Sequence, residues 1–221
     1  MDYKEFLNKQ KGIYEKFENS PIRENGTNPS DIVTNGLRAY IIAFRHEESV
    51  NEKISKFSER IRKEIPVVRY ASRDIHTTVS DYGQKIPKEF HLEESVLEKL
   101  SESVCSIGNL TSPTINYDKW IYNENTIIVA GVPCIKFYDL SERIIQNSKD
   151  KGIELRMPWG AHITATRFKE KLNPFELKNF FKLMKESPHI GESKPKFIDI
   201  GWYGLDKERF IFSIYKRFNL K

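Results

Sequence analysis

Apolar residues recur along this chain with two different periods, and the switches between them mark out its elements. Over 2–18, Phe6, Leu7, Ile13, Tyr14 and Phe17 share a face at helical spacing, and a polar stretch bearing Pro, Gly and Asn follows to Asn35. Residues 37–44 then read as a strand. A helix comes next: Ser49-Val50-Asn51-Glu52 has capping-box spacing, Val50, Ile54, Phe57, Ile61 and Ile65 share one face, and Pro66 closes it. A strand holding His76, a turn around Gly83 and Pro87, and a helix over 93–104 complete the first half.

The same order then recurs. Residues 114–122 and 126–132 read as strands, and a helix over 139–149 starts where Asp139 and Glu142 again have capping-box spacing. A strand holding His162 follows. Asn173-Pro174-Phe175-Glu176 then supplies a cap, a proline at the first helical position and an acidic first turn, with Phe180, Phe181 and Met184 facing inward. Strands over 196–203 and 209–218 end the chain. The pattern predicts an α+β fold: two pseudo-symmetric lobes, each an antiparallel-type sheet with helices outside. Residues 1–35 read as an N-terminal helical extension and linker, and 36–221 as the bilobal domain.

Composition narrows the function classes. At 221 residues and 38% hydrophobic content the chain can bury a core without covalent staples. Its formal net charge of +5 favours anionic ligands such as nucleotides or RNA. Cys105 and Cys134 have no Cys-x-x-Cys spacing, which argues against a disulfide scaffold, a zinc ribbon or a thioredoxin-like site. No apolar run approaches the ~20 residues of a membrane span, and the N-terminus lacks the order of a signal peptide. These features lead us to expect a soluble cytoplasmic protein, with no membrane association and no obligate protein partner.

The chemistry concentrates in two tripeptides, His76-Thr77-Thr78 and His162-Ile163-Thr164, each within a strand-type run. Residues i and i+2 of a strand share a face, so each tripeptide presents an imidazole beside a hydroxyl. Two such pairs facing each other offer a phosphate two proton-transfer groups and two hydrogen-bond donors. The offset between the motifs, 86 positions, also superimposes Tyr40-Ile41-Ile42-Ala43-Phe44 on Thr126-Ile127-Ile128-Val129-Ala130, so the chain reads as internally duplicated. Neither His-Glu-x-x-His nor the phosphate-binding glycine loop occurs, so neither a metal nor any other cofactor is expected. His46, His91 and His189 stand in polar surroundings and read as surface residues.

With motifs, strand setting and duplication together, the chain resembles the two-histidine (2H) phosphoesterase superfamily over residues 36 to 221. That superfamily includes the RNA 2',3'-cyclic phosphodiesterases once called 2'-5' RNA ligases. Its first motif here runs His76-Thr77-Thr78-Val79-Ser80-Asp81-Tyr82-Gly83, and its second His162-Ile163-Thr164-Ala165-Thr166-Arg167. Val79 and Ala165 stand where the family often has leucine, and Asp81 where an apolar residue is common. The resemblance implies an active-site groove between the lobes and hydrolysis of a nucleotide or RNA phosphodiester, with His76, Thr78, His162 and Thr164 as catalytic residues.

Arg167, Tyr82, Trp159 and Tyr203 are the further candidates for substrate contact, the aromatic rings as stacking surfaces. Arg167 lies five residues past His162, which changes its face in a regular strand; it reaches a phosphate only through a twist or bulge. A non-catalytic nucleotide- or RNA-sequestering protein on the same fold is the competing reading.

Overall fold

The computed structural model describes residues 1–83 and 92–221. Pro87 and His91 lie outside the described residues. Among the described residues, nine strands form one continuous sheet. They are β1 (Leu37–Arg45), β2 (Arg69–Tyr70), β3 (Thr77–Asp81), β4 (Ile115–Tyr122), β5 (Thr126–Pro133), β6 (His162–Arg167), β7 (Gly191–Ser193), β8 (Phe197–Leu205) and β9 (Arg209–Asn219). Their order, β2-β9-β8-β1-β3-β6-β5-β4-β7, puts the two motif strands side by side at the centre. Most pairings are antiparallel, and β2 with β9 is parallel. The two lobes are therefore halves of one curled sheet, and its last two strands return to the first half, β8 pairing with β1 and β9 with β8.

The helices are α1 (Tyr3–Glu18), α2 (Ile22–Asn25), α3 (Asp31–Asn35), α4 (Glu48–Glu64), α5 (Glu94–Cys105), α6 (Ile135–Lys149) and α7 (Lys178–Met184). The main core lies between the sheet and α4 to α7. Val50, Ile54, Phe57 and Ile61 of α4 are buried there beside Leu100 and Val104 of α5, Phe137 and Ile144 of α6 and Phe180 of α7. This is the amphipathic stripe that the apolar spacing predicts. Packing crosses the halves: α4 touches β6, while α6 touches β3 as well as β5.

Helix starts differ from their sequence signals. Helix α4 begins at Glu48, and Ser49 does not cap it. Helix α6 begins at Ile135 behind Cys134, one turn before Asp139, because the apolar face already starts at Phe137. At Asn173 the expected cap forms, and it is reciprocal: Asn173 Oδ1 accepts from the Phe175 amide and Glu176 Oε2 from the Asn173 amide. It closes a turn, and the helix proper starts at Lys178.

Helix α1 packs on the body of the protein. Phe6 joins the main core, and its ring stacks on Phe137 of α6. Further along, Tyr14 and Phe17 belong to a second, smaller apolar cluster with Ile121, Ile128, Ala130 and Trp159.

Candidate functional site

Strands β3 and β6 share one residue pair, Thr77 with Ile163, so they pair only at this point, where the halves meet. A cavity of about 330 Å³ opens there, and His76, Thr78, Asp81, Trp159, His162, Thr164, Arg167 and Tyr203 are among its walls. Seven of the eight side chains singled out from the sequence thus line one space. Tyr82 does not: its ring packs edge-on against Tyr40, 5.1 Å away, outside the cavity wall.

Arg167 is there because of a bulge. Thr164 pairs with Ile128 but Thr166 pairs with Ile127, which leaves Ala165 as the extra residue on β6. One extra residue reverses the alternation, so Arg167 rejoins the face of His162 and Thr164 while Thr166 turns away to donate to the Val68 carbonyl. The first motif repeats the device. Thr78 pairs with Ala43 and Ser80 with Ile42, so Val79 is bulged and Asp81 joins the face of Thr78. Each half thereby delivers an imidazole, a hydroxyl and a charge, an aspartate on one side and an arginine on the other.

The imidazoles are held alike. His76 Nδ1 lies 2.7 Å from the Asp74 carbonyl oxygen, and His162 Nδ1 lies 3.2 Å from that of Gly160. A carbonyl only accepts, so Nδ1 carries the proton in each ring and Nε2 is the basic nitrogen. The segment before His76 is itself anchored: Arg45 donates to the Arg73 and Ile75 carbonyls and to buried Asp199, which Arg217 also engages. An aromatic ring backs each imidazole. His76 stacks on Phe210 at 5.3 Å, and His162 on Trp159 at 3.7 Å.

Burial in these walls favours the neutral rings. The His76 pKa is pushed down to about 4, mainly by desolvation and then by the charge of Arg45. For His162 it falls to about 3, again through desolvation first, with Arg167 and His76 adding to it against the Gly160 hydrogen bond. Arg167 Nε donates to the Tyr70 hydroxyl at 3.3 Å. Arg156 lies across the mouth, its backbone paired with Asp81 and its guanidinium over Gly83, where a Cβ would come within 2.5 Å of it. Tyr203 stacks on Phe210, which also stacks on Tyr70.

Tyr70 and Phe210 were not foreseen, because they arrive from strands remote in sequence whose short parallel pairing has no local signature. His46 corrects the sequence reading. It is buried, at 5% exposure, with ring nitrogens 2.9 Å from Ser193 Oγ and 3.0 Å from Thr77 Oγ1. Its charged sequence neighbours disguised a position just past the end of β1, where the chain dives beneath β3 and β7. His189 is exposed, as expected. Among the described residues no group of three or more His, Cys, Asp or Glu could hold a metal ion, and no helix is long and apolar enough to cross a membrane.

No family model and no curated protein matches the chain. Solved structures do. The chain is similar to Escherichia coli LigT complexed with 3'-AMP at 13% identity, covering 84% of this chain and 99% of that one, with a TM-score of 0.55. The Thermus thermophilus protein TT0787 aligns at 14% identity over 82% of this chain and 97% of its own, with a TM-score of 0.57. A conserved protein of unknown function from Agrobacterium tumefaciens, ATU0111, aligns at 10% identity over 91% and 97%, with a TM-score of 0.53. At the level of the fold, the resemblance seen in the two His-x-Thr motifs is borne out: this chain has the two-lobed α+β fold of LigT.

Proposed function

We propose that the protein is a phosphodiesterase that opens a cyclic or 2'-5' phosphodiester of a nucleotide or RNA by metal-independent two-histidine acid-base catalysis. The observation that carries this reading is the convergence of both His-x-Thr pairs on one cavity, each imidazole with its Nδ1 proton committed to a carbonyl. Two basic Nε2 atoms in one cavity are what proton transfer at both ends of a phosphoester requires.

With a 2',3'-cyclic phosphate, His162 Nε2 takes a proton from water as its oxygen bonds to phosphorus. His76, protonated on Nε2, donates to the ribose oxygen as that P–O bond breaks, leaving a phosphomonoester. This assignment of His76 as acid and His162 as base follows the family resemblance of the two motifs; both rings are shifted the same way, toward the neutral form. Thr78 and Thr164 donate to the non-bridging oxygens, and Arg167 balances their charge. Tyr203, stacked with Phe210, offers a face for a base. A volume of about 330 Å³ suits a nucleotide-sized group. In support, the fold neighbour LigT has been crystallised with 3'-AMP and with ATP.

The test is chromatographic. Wild type, with EDTA present, is incubated with 2',3'-cyclic nucleotides, 2'-5' oligoadenylate and cyclic dinucleotides. Cleavage of one class names the substrate; tight binding without any turnover favours the sequestering alternative.

A further inference from the structure

Trp159 is committed to more than the cavity wall. Its ring stacks on His162 at 3.7 Å with 20° between planes, the closest ring contact of either motif histidine. The same indole meets α1, with Phe17 at 6.0 Å and 22° and Tyr14 edge-on at 6.0 Å and 83°. Together these rings form, with Ile121, Ile128 and Ala130, an apolar cluster separate from the main core.

The middle of α1 grips the backbone on which His162 stands. Gln10 Nε2 donates to the Gly131 carbonyl at 3.1 Å, and Gln10 Oε1 accepts from the Ala161 amide at 2.8 Å. The Tyr14 hydroxyl lies 3.1 Å from both the Gly131 and Ala161 carbonyl oxygens. Gly160, whose carbonyl orients the His162 ring, is a glycine at a close approach: a Cβ there would stand 2.8 Å from Gln10 Cγ. Gln10 and Tyr14 are themselves buried, although both belong to a terminal helix.

We infer that α1 is a positioning element for His162, acting through Trp159: Phe17 and Tyr14 fix the indole, and the indole sets the plane of the imidazole and keeps water from its face. This rests on the two-histidine reading for its catalytic meaning. It differs from the stacking role expected for Trp159, because the indole face that would meet a base is spent on His162. Phe17, Tyr14 and Trp159 are positioning residues; proton transfer stays with His162.

The charged and titratable groups around His162 remain when this support is removed. His76 lines the cavity from just before β3 and Asp81 from the end of β3, Arg167 from β6, Arg156 from the segment preceding β6, and Tyr70 and Tyr203 from β2 and β8. Glu18 of α1 is paired with Lys119 on β4, and Asp118 of β4 stands toward Tyr14. Truncating Phe17 or Trp159 therefore changes the hydration and freedom of the ring and leaves its electrostatic neighbours in place, so the imidazolium becomes easier to form.

The experiment is an NMR titration of the histidine ring protons, assigned with His162→Gln, beside turnover of the cyclic phosphate panel. In Trp159→Ala the His162 pKa should rise by about one unit or more, and in Phe17→Ala by less in the same direction. Turnover should fall about tenfold or more in Phe17→Ala with KM little changed. Phe17→Tyr and Trp159→Phe should restore both readouts, and Phe175→Ala, at a residue 76% exposed, should change neither. An unmoved His162 pKa in Phe17→Ala and Trp159→Ala, with only the melting temperature lowered, would overturn the inference. Should Trp159→Ala fail to fold, the half-buried Phe17 supplies the same comparison. Failure of wild type to turn over any phosphodiester, with the pKa shifts seen, would instead refute the enzymatic reading and leave the positioning contact standing.

Discussion

The pH dependence of the reaction separates what the cavity walls do from what a bound phosphate does. With a pKa of about 4 against an ordinary value of 6.5, His76 costs about 3 kcal/mol more to protonate in the free protein than in water. At pH 7 only on the order of one molecule in 10³ then carries the general acid in its charged form. A phosphate between the rings supplies the opposite charge, which raises an imidazole pKa by roughly one to three units. Since kcat/KM reports the free protein and kcat the complex, the two profiles should differ. Steady-state rates between pH 4.5 and 8 should show log kcat/KM falling with unit slope through neutrality. The descending limb of kcat should lie about one to three units higher. A kcat/KM that is flat or rising from about pH 5 to 7 would refute the reasoning, because the acid would not then be an imidazole held in this cavity.

Other expectations follow from the same geometry. Thr78→Val and Thr164→Val should each lower kcat by roughly 10²-fold, the cost of one lost donor to transition-state charge, with smaller effects on KM in steady-state assays. Asp199→Asn leaves the buried Arg45 guanidinium without its carboxylate and should cost about 3–5 kcal/mol in urea unfolding; a loss under about 1 kcal/mol would contradict the anchoring role given to this pair. Acid should destabilise the protein. His46, His76 and His162 all have native pKa values of about 3 to 4, so the unfolded chain takes up protons below about pH 6.5 while the folded chain does not. Stability is then full above that pH and declines as pH falls from about 6.5 toward 4, by up to about 1.4 kcal/mol per pH unit for each histidine. Denaturant midpoints across that range check this, and His46→Gln should flatten the slope.

Much of the site was legible because it rests on periodicity and duplication. The alternation around His76 and His162 placed each imidazole beside its threonine, and the repeated order of elements put the two strands in equivalent places. Arg167 shows where that logic needed the structure. A period of two sends it to the wrong face, and a single bulged residue, Ala165, brings it back; the matching bulge at Val79 turns Asp81 inward. Bulges of this kind have no composition signal when the extra residue is an ordinary Val or Ala. Long-range pairing was equally hidden. Tyr70 and Phe210 reach the cavity through β2 and β9, and His46 is buried by Ser193, Thr77 and Tyr117, residues spread across the chain. The return of β8 and β9 to the first half, and the seating of α1 on Trp159, depend likewise on tertiary fit.

The central claim is that His76 and His162 act as one proton-transfer unit, and the most direct measurement is turnover by wild type, His76→Ala, His162→Ala and the double variant, in EDTA, with folding verified by circular dichroism. Each single variant should lose at least about 10²- to 10⁴-fold in rate, and the double variant should be little worse than the poorer single. Near wild-type turnover in either single variant, or loss of wild-type turnover in EDTA that added metal restores, would contradict it.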